Sequence, residues 1–292
     1  MLKYFKNLFN PHLKELEHGS YITIGSFDGV HKGHQQLISN IVIEGKKSNY
    51  PTIVITFDPL PKSFFSHNDL QSSRITSSHT RAERIAALGV DILIEYTFDN
   101  NFSTISSDEF IHNVLLGLNP KKFFVGKDFR FGYKGSGNPE VLKQTGSRLG
   151  FETEIVEFTD LANERISSTR VRHAVNNGDL KLAYDLMGKK HELCGRIVRT
   201  MNDFKGLFVP DSALILPPVG EYWVNMKNST NKYFTKAIIL NTNKSIEIDL
   251  DNAMINSFSK DKVIVQFLQS VTTIVPEEIE LEIDNQRHSI LS

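Results

Sequence analysis

From residue 21 to about residue 187, short apolar runs alternate with stretches whose apolar positions recur every three to four residues. The runs are strand-length, and the periodic stretches fit helices with one buried face. Residues 21–24 predict a first strand, and Leu37, Ile38, Ile41 and Val42 mark the buried face of the helix behind it. Residues 52–57 predict the second strand. A helix over 81–88 closes at Gly89, and residues 92–96 form the next strand. Ser106 and Glu109 have capping-box spacing ahead of Phe110, Val114 and Leu115, with Gly117 ending that helix. Residues 123–125 supply a strand, Asn138-Pro139-Glu140 opens a helix in the cap-then-proline order, and residues 151–156 form a further strand. Strands alternating with helices imply an α/β, Rossmann-like domain with a parallel sheet covered on both faces.

After Gly188 the helical period disappears. Residues 195–198, 213–216, 221–226, 234–240, 245–250 and 263–268 are all strand-like, separated by turn residues such as Pro217, Pro218 and Asn228. So many short strands close most naturally into a small antiparallel β-barrel or sandwich. The expected division is an α/β domain over 1–187 and an all-β domain over 188–292.

Composition narrows the classes. A formal net charge of −1 offers no global basic field for nucleic acid. No apolar run approaches the roughly 20 residues of a membrane span, and charges interrupt the first ten residues, unlike a signal peptide. A cytoplasmic protein with neither nucleic-acid nor membrane partners is expected; homo-oligomerisation stays open. The one cysteine, Cys194, excludes an internal disulfide and a multi-cysteine zinc site, and reads as a buried structural thiol.

The candidate chemistry begins where the first strand ends, at Gly25-Ser26-Phe27-Asp28-Gly29-Val30-His31-Lys32-Gly33-His34. Open α/β sheets bind ligands at the carboxyl ends of strands, beside helix N-termini whose free N–H groups and dipole favour phosphate. Gly25, Gly29 and Gly33 permit tight turning and close approach, and His31 and His34 add two donors for the same anion. The plain alternative is a tight turn bearing two surface histidines. Ser167, Ser168 and Thr169 predict a second anion-binding helix start, with Arg170 and Arg172 beside it; an ordinary cap with solvated arginines is the alternative.

The string Gly25-x-Phe27-Asp28-Gly29-Val30-His31-x-Gly33-His34 resembles the His-x-Gly-His nucleotidylyltransferases, and within them the FAD synthetases, usually bifunctional riboflavin kinase/FAD synthetases of bacteria. Three more segments support the resemblance in order. Thr56-Phe57-Asp58-Pro59-Leu60-Pro61 is similar to the family's Phe-x-Pro-His-Pro loop, with Leu60 where histidine is usual. Residues 125–132 are similar to its flavin-site segment, and residues 166–172 to its second nucleotide motif. The resemblance implies FMN adenylyltransferase activity with ATP, FMN and Mg2+. It implies catalytic roles for His31, His34 and Arg170. ATP would be held by Gly25, Ser26, Phe27, Asp28, Gly29, Gly33, Asp128, Ser167, Ser168, Thr169 and Arg172, and FMN by Asp58, Pro59, Pro61, Phe129, Arg130 and Phe131. Asp28 either fixes the loop or helps hold the metal, whose ligands the sequence does not identify. Asp128 is equally a turn aspartate, and Phe129 and Phe131 are equally core aromatics. No residue offers a covalent nucleophile, so the expected reaction is direct in-line transfer.

The second domain departs from the family. Where its kinase barrel carries Pro-Thr-x-Asn, this chain reads Pro210-Asp211-Ser212-Ala213, and alanine has no oxygen for a metal or phosphate. The preceding segment, residues 200–206, lacks the family's arginine–glycine pattern, and no long helix is apparent after Pro276. Glu247 reads as a lone exposed strand glutamate. A degenerate riboflavin kinase barrel is expected; a working bifunctional enzyme and a non-catalytic flavin- or nucleotide-binding regulator are the alternatives.

Overall fold

The computed structural model describes residues 2–9, 13–65, 74–158, 160–162, 164–200, 205–240, 245–258 and 261–271. They form two compact units: residues 1–72 with 78–168, and residues 73–77 with 169–292.

In the first unit β1 (Lys3–Lys6), β2 (Ser20–Ile24), β3 (Thr52–Asp58), β4 (Ile92–Thr97), β5 (Pro120–Gly126) and β6 (Glu152–Val156) make one sheet in the order β1-β4-β3-β2-β5-β6. Every pairing is parallel. Alternate residues of a strand face opposite ways, which sorts the runs read from the sequence into two cores. Ile53 and Ile55 join Ile22, Ile24, Ile92, Ile94 and Phe123 on one face. Val54 joins Leu93 and Phe124 on the other, against Leu37, Ile38 and Ile41 of α1 (Lys32–Ser48). Each such side chain contributes about 1.5–3 kcal/mol when fully buried.

Between the strands lie α2 (Pro61–Phe65), α3 (Ser78–Ala86), α4 (Asn100–Ser103), α5 (Ser107–Phe110) and α6 (Pro139–Leu149). The Ser106–Glu109 capping box is present, and Asn138 caps α6 ahead of Pro139. Past Phe110 the helix widens into a π turn over Ile111–Leu115 and tightens to a 3-10 turn over Leu116–Leu118. The strand β1 is an edge strand of mostly exposed residues, so hydrophobic periodicity gave no sign of it. A two-stranded ribbon, β7 (Asp160–Leu161) with β8 (Glu164–Arg165), follows β6.

The second unit holds α7 (Ser168–Asn176, from its second residue), α8 (Leu180–Met187) and a closed barrel. The barrel runs β10-β13-β12-β11-β14-β9, all antiparallel, from β9 (Glu192–Arg199), β10 (Lys205–Pro210), β11 (Gly220–Lys227), β12 (Lys232–Ile239), β13 (Ile246–Asp249) and β14 (Val263–Ser270). Leu180 of α8 belongs to the barrel's apolar core, so the compact units part at residue 168 although the sequence changes period at 188. Gly195 is required where β9 meets β10: a Cβ there would lie 2.3 Å from the Val209 carbonyl oxygen.

Four expectations change here. Residues 213–216 form no strand; Leu214 makes a single bridge to Arg74, and the Ile215 N–H donates to the Arg74 carbonyl at 2.8 Å. The half-polar β10 and the seven-residue α9 (Asn252–Phe258) carry too little pattern to announce themselves. Cys194 is half-buried, because strand alternation sends Leu193 into the core and Cys194 out of it. Glu247 is half-buried and paired, accepting from Lys205 Nζ at 2.7 Å across the β10–β13 pairing; that hydrogen bond holds the lysine above its ordinary range. The segments 201–204 and 272–292, which bear on the kinase flap and the C-terminal helix, lie outside the described residues.

Candidate active site

The loop after β2 is bent against the ordinary preferences of its residues. Phe27 has φ 47°, Val30 φ 44° and Gly29 φ 78°. Only the glycine is at ease there; a non-glycine residue at positive φ costs about 1–3 kcal/mol, and the β-branched valine is the worst placed. Burial offsets the strain. Phe27 and Val30 are both 1% exposed and pack with Leu37 and Ile38 under α1.

This bend delivers the histidines. His31 caps α1, its Nδ1 accepting the His34 N–H at 3.3 Å, so the ring proton of neutral His31 resides on Nε2. The two imidazoles stack with centroids 3.6 Å apart and 19° between planes, and Phe27 meets His34 edge-on at 5.2 Å. His31 is 5% exposed and His34 half-buried, which replaces the turn with two surface histidines. The pair stands at the N-terminus of a 17-residue helix, where N–H groups and dipole attract an anion.

The second nucleotide motif reaches this loop through Ser168, whose hydroxyl donates to the Asp28 carbonyl at 3.0 Å. Asp28 is itself buried. Ser168 is the first residue of α7, and Ser167 precedes it half-buried. Within the second unit Thr169 is exposed, Arg170 half-buried and Arg172 buried, so the arginines are not simply solvated.

The loop after β5 shapes a cavity of 630 Å3 lined by Phe57, Phe98, Phe102, Phe110, Phe129 and Phe131, with Pro61, Phe65 and Tyr133 also on its wall. Phe129 and Phe131 stack at 5.3 Å and 20°, so they serve the cavity, and Phe131 the core as well. Arg130, exposed, donates Nη1 to the Phe129 carbonyl at 2.8 Å and contributes to the lining. Ile24 lines the cavity too, and the histidine loop leaves from the next residue. Both loops therefore rise from the carboxyl ends of the adjacent strands β2 and β5, where the strand order turns back on itself. Sequence reading found Phe129 and Phe131 but missed Phe98, Phe102 and Phe110. Their segments are scattered along the chain, and the one available sign was a content of 20 phenylalanines.

Other expected residues lie apart. Asp128 is exposed and ion-paired with Arg165, whose guanidinium also sits 5.2 Å over Phe158. Asp58 accepts from Ser78 Oγ at 2.7 Å and precedes exposed Pro59 through a cis peptide bond. Leu60 is buried and does not line the cavity. Among the described residues no three His, Cys, Asp or Glu side chains gather as metal ligands.

A parallel Rossmann-like sheet that presents a histidine pair on a helix N-terminus defines a nucleotidyltransferase. The FAD synthetase family matches residues 13–170, more than half of the chain. The chain belongs to the FAD synthetase family. The bifunctional riboflavin kinase/FMN adenylyltransferase of Buchnera aphidicola subsp. Acyrthosiphon pisum is 34% identical over 275 residues, covering 89% of this chain and 87% of that one. The protein of the same name from Escherichia coli K12 is 34% identical over 217 residues, 72% of this chain and 69% of its own. A solved structure described as a macrolide-efflux protein from Streptococcus pneumoniae has a TM-score of 0.81 at 23% identity, covering 98% of both chains, a likeness of fold alone. No helix among the described residues is long and apolar enough to cross a membrane.

Proposed function

We propose that this chain transfers AMP from ATP to FMN, giving FAD and pyrophosphate, with residues 1–187 carrying the reaction. The stacked His31–His34 pair on α1, on the loop that leaves β2 one residue after Ile24 of the aromatic cavity, is the observation that carries the reading. The isoalloxazine ring is flat with an apolar dimethylbenzene end, which suits stacked Phe129 and Phe131. An FMN phosphate oxygen then attacks the α-phosphorus of ATP in line. The bond from that phosphorus to the bridging oxygen breaks, and pyrophosphate leaves with the electron pair. The His31 Nε2 proton and His34 donate to phosphoryl oxygens where negative charge develops, and Arg170 binds the triphosphate. Mg2+ commonly binds through one or two carboxylates plus substrate phosphates, so it fits here as an ion carried by the triphosphate, with Asp28 the loop's carboxylate. The ion supplies charge neutralisation.

The barrel is proposed to have lost riboflavin phosphorylation. Its relatives' names keep a second reading in view, a bifunctional enzyme whose kinase site tolerates Asp211 and Ala213. Incubating the full-length protein with ATP, Mg2+ and FMN and resolving flavins by chromatography tests the main reading: FAD and pyrophosphate appear together, and no FAD overturns it.

Arg170→Lys is expected to raise the ATP concentration needed for half-maximal rate by roughly tenfold. One charge-assisted hydrogen bond is worth about 1.5 kcal/mol or more, and lysine cannot make the two-pronged contact. The FMN requirement should move less. Steady-state titration of each substrate checks this, and an unchanged ATP dependence removes Arg170 from the triphosphate site.

A further inference from the structure

We infer that Arg81 and Arg84 are positioning residues for the adenylyl transfer, gripping the carbonyls of the histidine loop from α3 and so fixing the bend that presents the histidines. The inference rests on the FAD synthetase reading above. Arg81 is 1% exposed. Its Nη1 donates to the Ser26 carbonyl at 2.9 Å, and its Nη2 to the Phe57 carbonyl at 3.0 Å and to Glu95 Oε2 at 2.7 Å. Thr56 Oγ1 donates to the same Ser26 carbonyl at 3.1 Å. One turn along α3, buried Arg84 donates Nη1 to the Gly29 carbonyl at 3.0 Å.

Geometry gives these bonds a consequence at the site. In a trans peptide the C=O and the following N–H point opposite ways. Holding the Ser26 carbonyl fixes the direction of the Phe27 N–H, and holding the Gly29 carbonyl fixes that of the Val30 N–H in the turn that leads into His31. The Asp28 carbonyl, held by Ser168 Oγ, does the same for the Gly29 N–H. Of these, the Val30 N–H closes the turn on the Phe27 carbonyl at 3.1 Å. Donors fixed beforehand need no reorganisation as charge develops. Stability alone gives little reason for this arrangement. A buried charge is expensive, and packed apolar residues commonly replace buried ion pairs without loss. Two arginines on the helix that abuts the loop, each spending a guanidinium N–H on a loop carbonyl, fit a demand for loop geometry.

Arg81 pairs with buried Glu95, and losing it would strand that carboxylate, so the test is made at Arg84. In the full-length enzyme, Arg84→Met keeps the side-chain length and removes the donors, whereas Arg84→Lys retains one. The kcat for FAD synthesis is expected to fall about 100-fold in Arg84→Met, the scale of an ångström-level misplacement, with partial recovery in Arg84→Lys. FMN affinity, read by quenching of flavin fluorescence, should stay near wild type in both. Wild-type kcat in folded Arg84→Met overturns the inference, as does a loss of FMN affinity and thermal stability in step with activity. If Arg84→Met fails to fold, Arg84→Lys decides alone: kcat reduced with FMN binding intact supports the grip, and unchanged kcat overturns it. A wild-type protein that makes no FAD overturns the adenylyl-transfer reading itself, an outcome separate from either.

Discussion

His34→Ala is expected to slow FAD synthesis by ~10²–10³ while leaving the fold standing, because under the proposed mechanism it deletes one donor to developing phosphate charge. The structure makes His34 a better probe than its neighbour. His31 caps α1 through Nδ1, so His31→Ala removes a helix cap, worth about 1 kcal/mol, together with a phosphate donor. His34 is half-buried, stacked on His31 and edge-on to Phe27 of the core under α1. Truncation therefore costs some ring contact and little packing. Circular dichroism and thermal melts close to wild type, with a large drop in kcat, are the expected pair of results. Near-wild-type FAD formation by His34→Ala sinks the catalytic assignment.

The second large effect concerns the barrel: the full-length chain should turn FMN into FAD and leave riboflavin unphosphorylated. Phosphoryl transfer depends almost wholly on positioning and charge neutralisation, so one missing ligand costs orders of magnitude. Ala213 is exposed and offers no side-chain oxygen. Asp211 does carry oxygens, but its carboxylate is 3.2 Å from Lys262 Nζ, and its N–H donates to the Cys194 carbonyl at 2.9 Å. A carboxylate already paired with a lysine, placed where the family uses a neutral hydroxyl, is a poor replacement beside an anionic nucleotide. Riboflavin, ATP and Mg2+ with the purified protein should yield no FMN by chromatography under conditions that complete FAD synthesis. FMN appearing at a comparable rate would make the enzyme bifunctional and the barrel intact.

What the sequence disclosed divides along physical lines. The buried strands β2 to β5 and the long helix α1 are written in apolar runs and period, and they lie within a few residues of expectation. The histidine loop was legible because glycines and histidines cluster within ten residues. The aromatic cavity was only half legible, since its walls are assembled from segments that meet through the sheet order and share no local motif. Arg81 and Arg84 fall in the helix expected over 81–88 and drew no notice, for nothing in a linear pattern distinguishes an arginine turned inward from one in solvent. Strand β1 escaped for the opposite reason: an exposed edge strand needs backbone partners and hardly any apolar side chains.

The boundary between the compact units falls one residue before Thr169 and two before Arg170, inside the Ser167–Arg172 motif. The helix α7 is thus encoded with the nucleotidyltransferase half but folds with the barrel's half, as does α8, which lends Leu180 to the barrel core. This ties the survival of the barrel to something other than its own catalysis. A gene shortened after residue 187 would keep every adenylylation motif in its reading frame, yet strip α8 of the hydrophobic surface that receives Leu180 and leave the Arg170 helix on a truncated support.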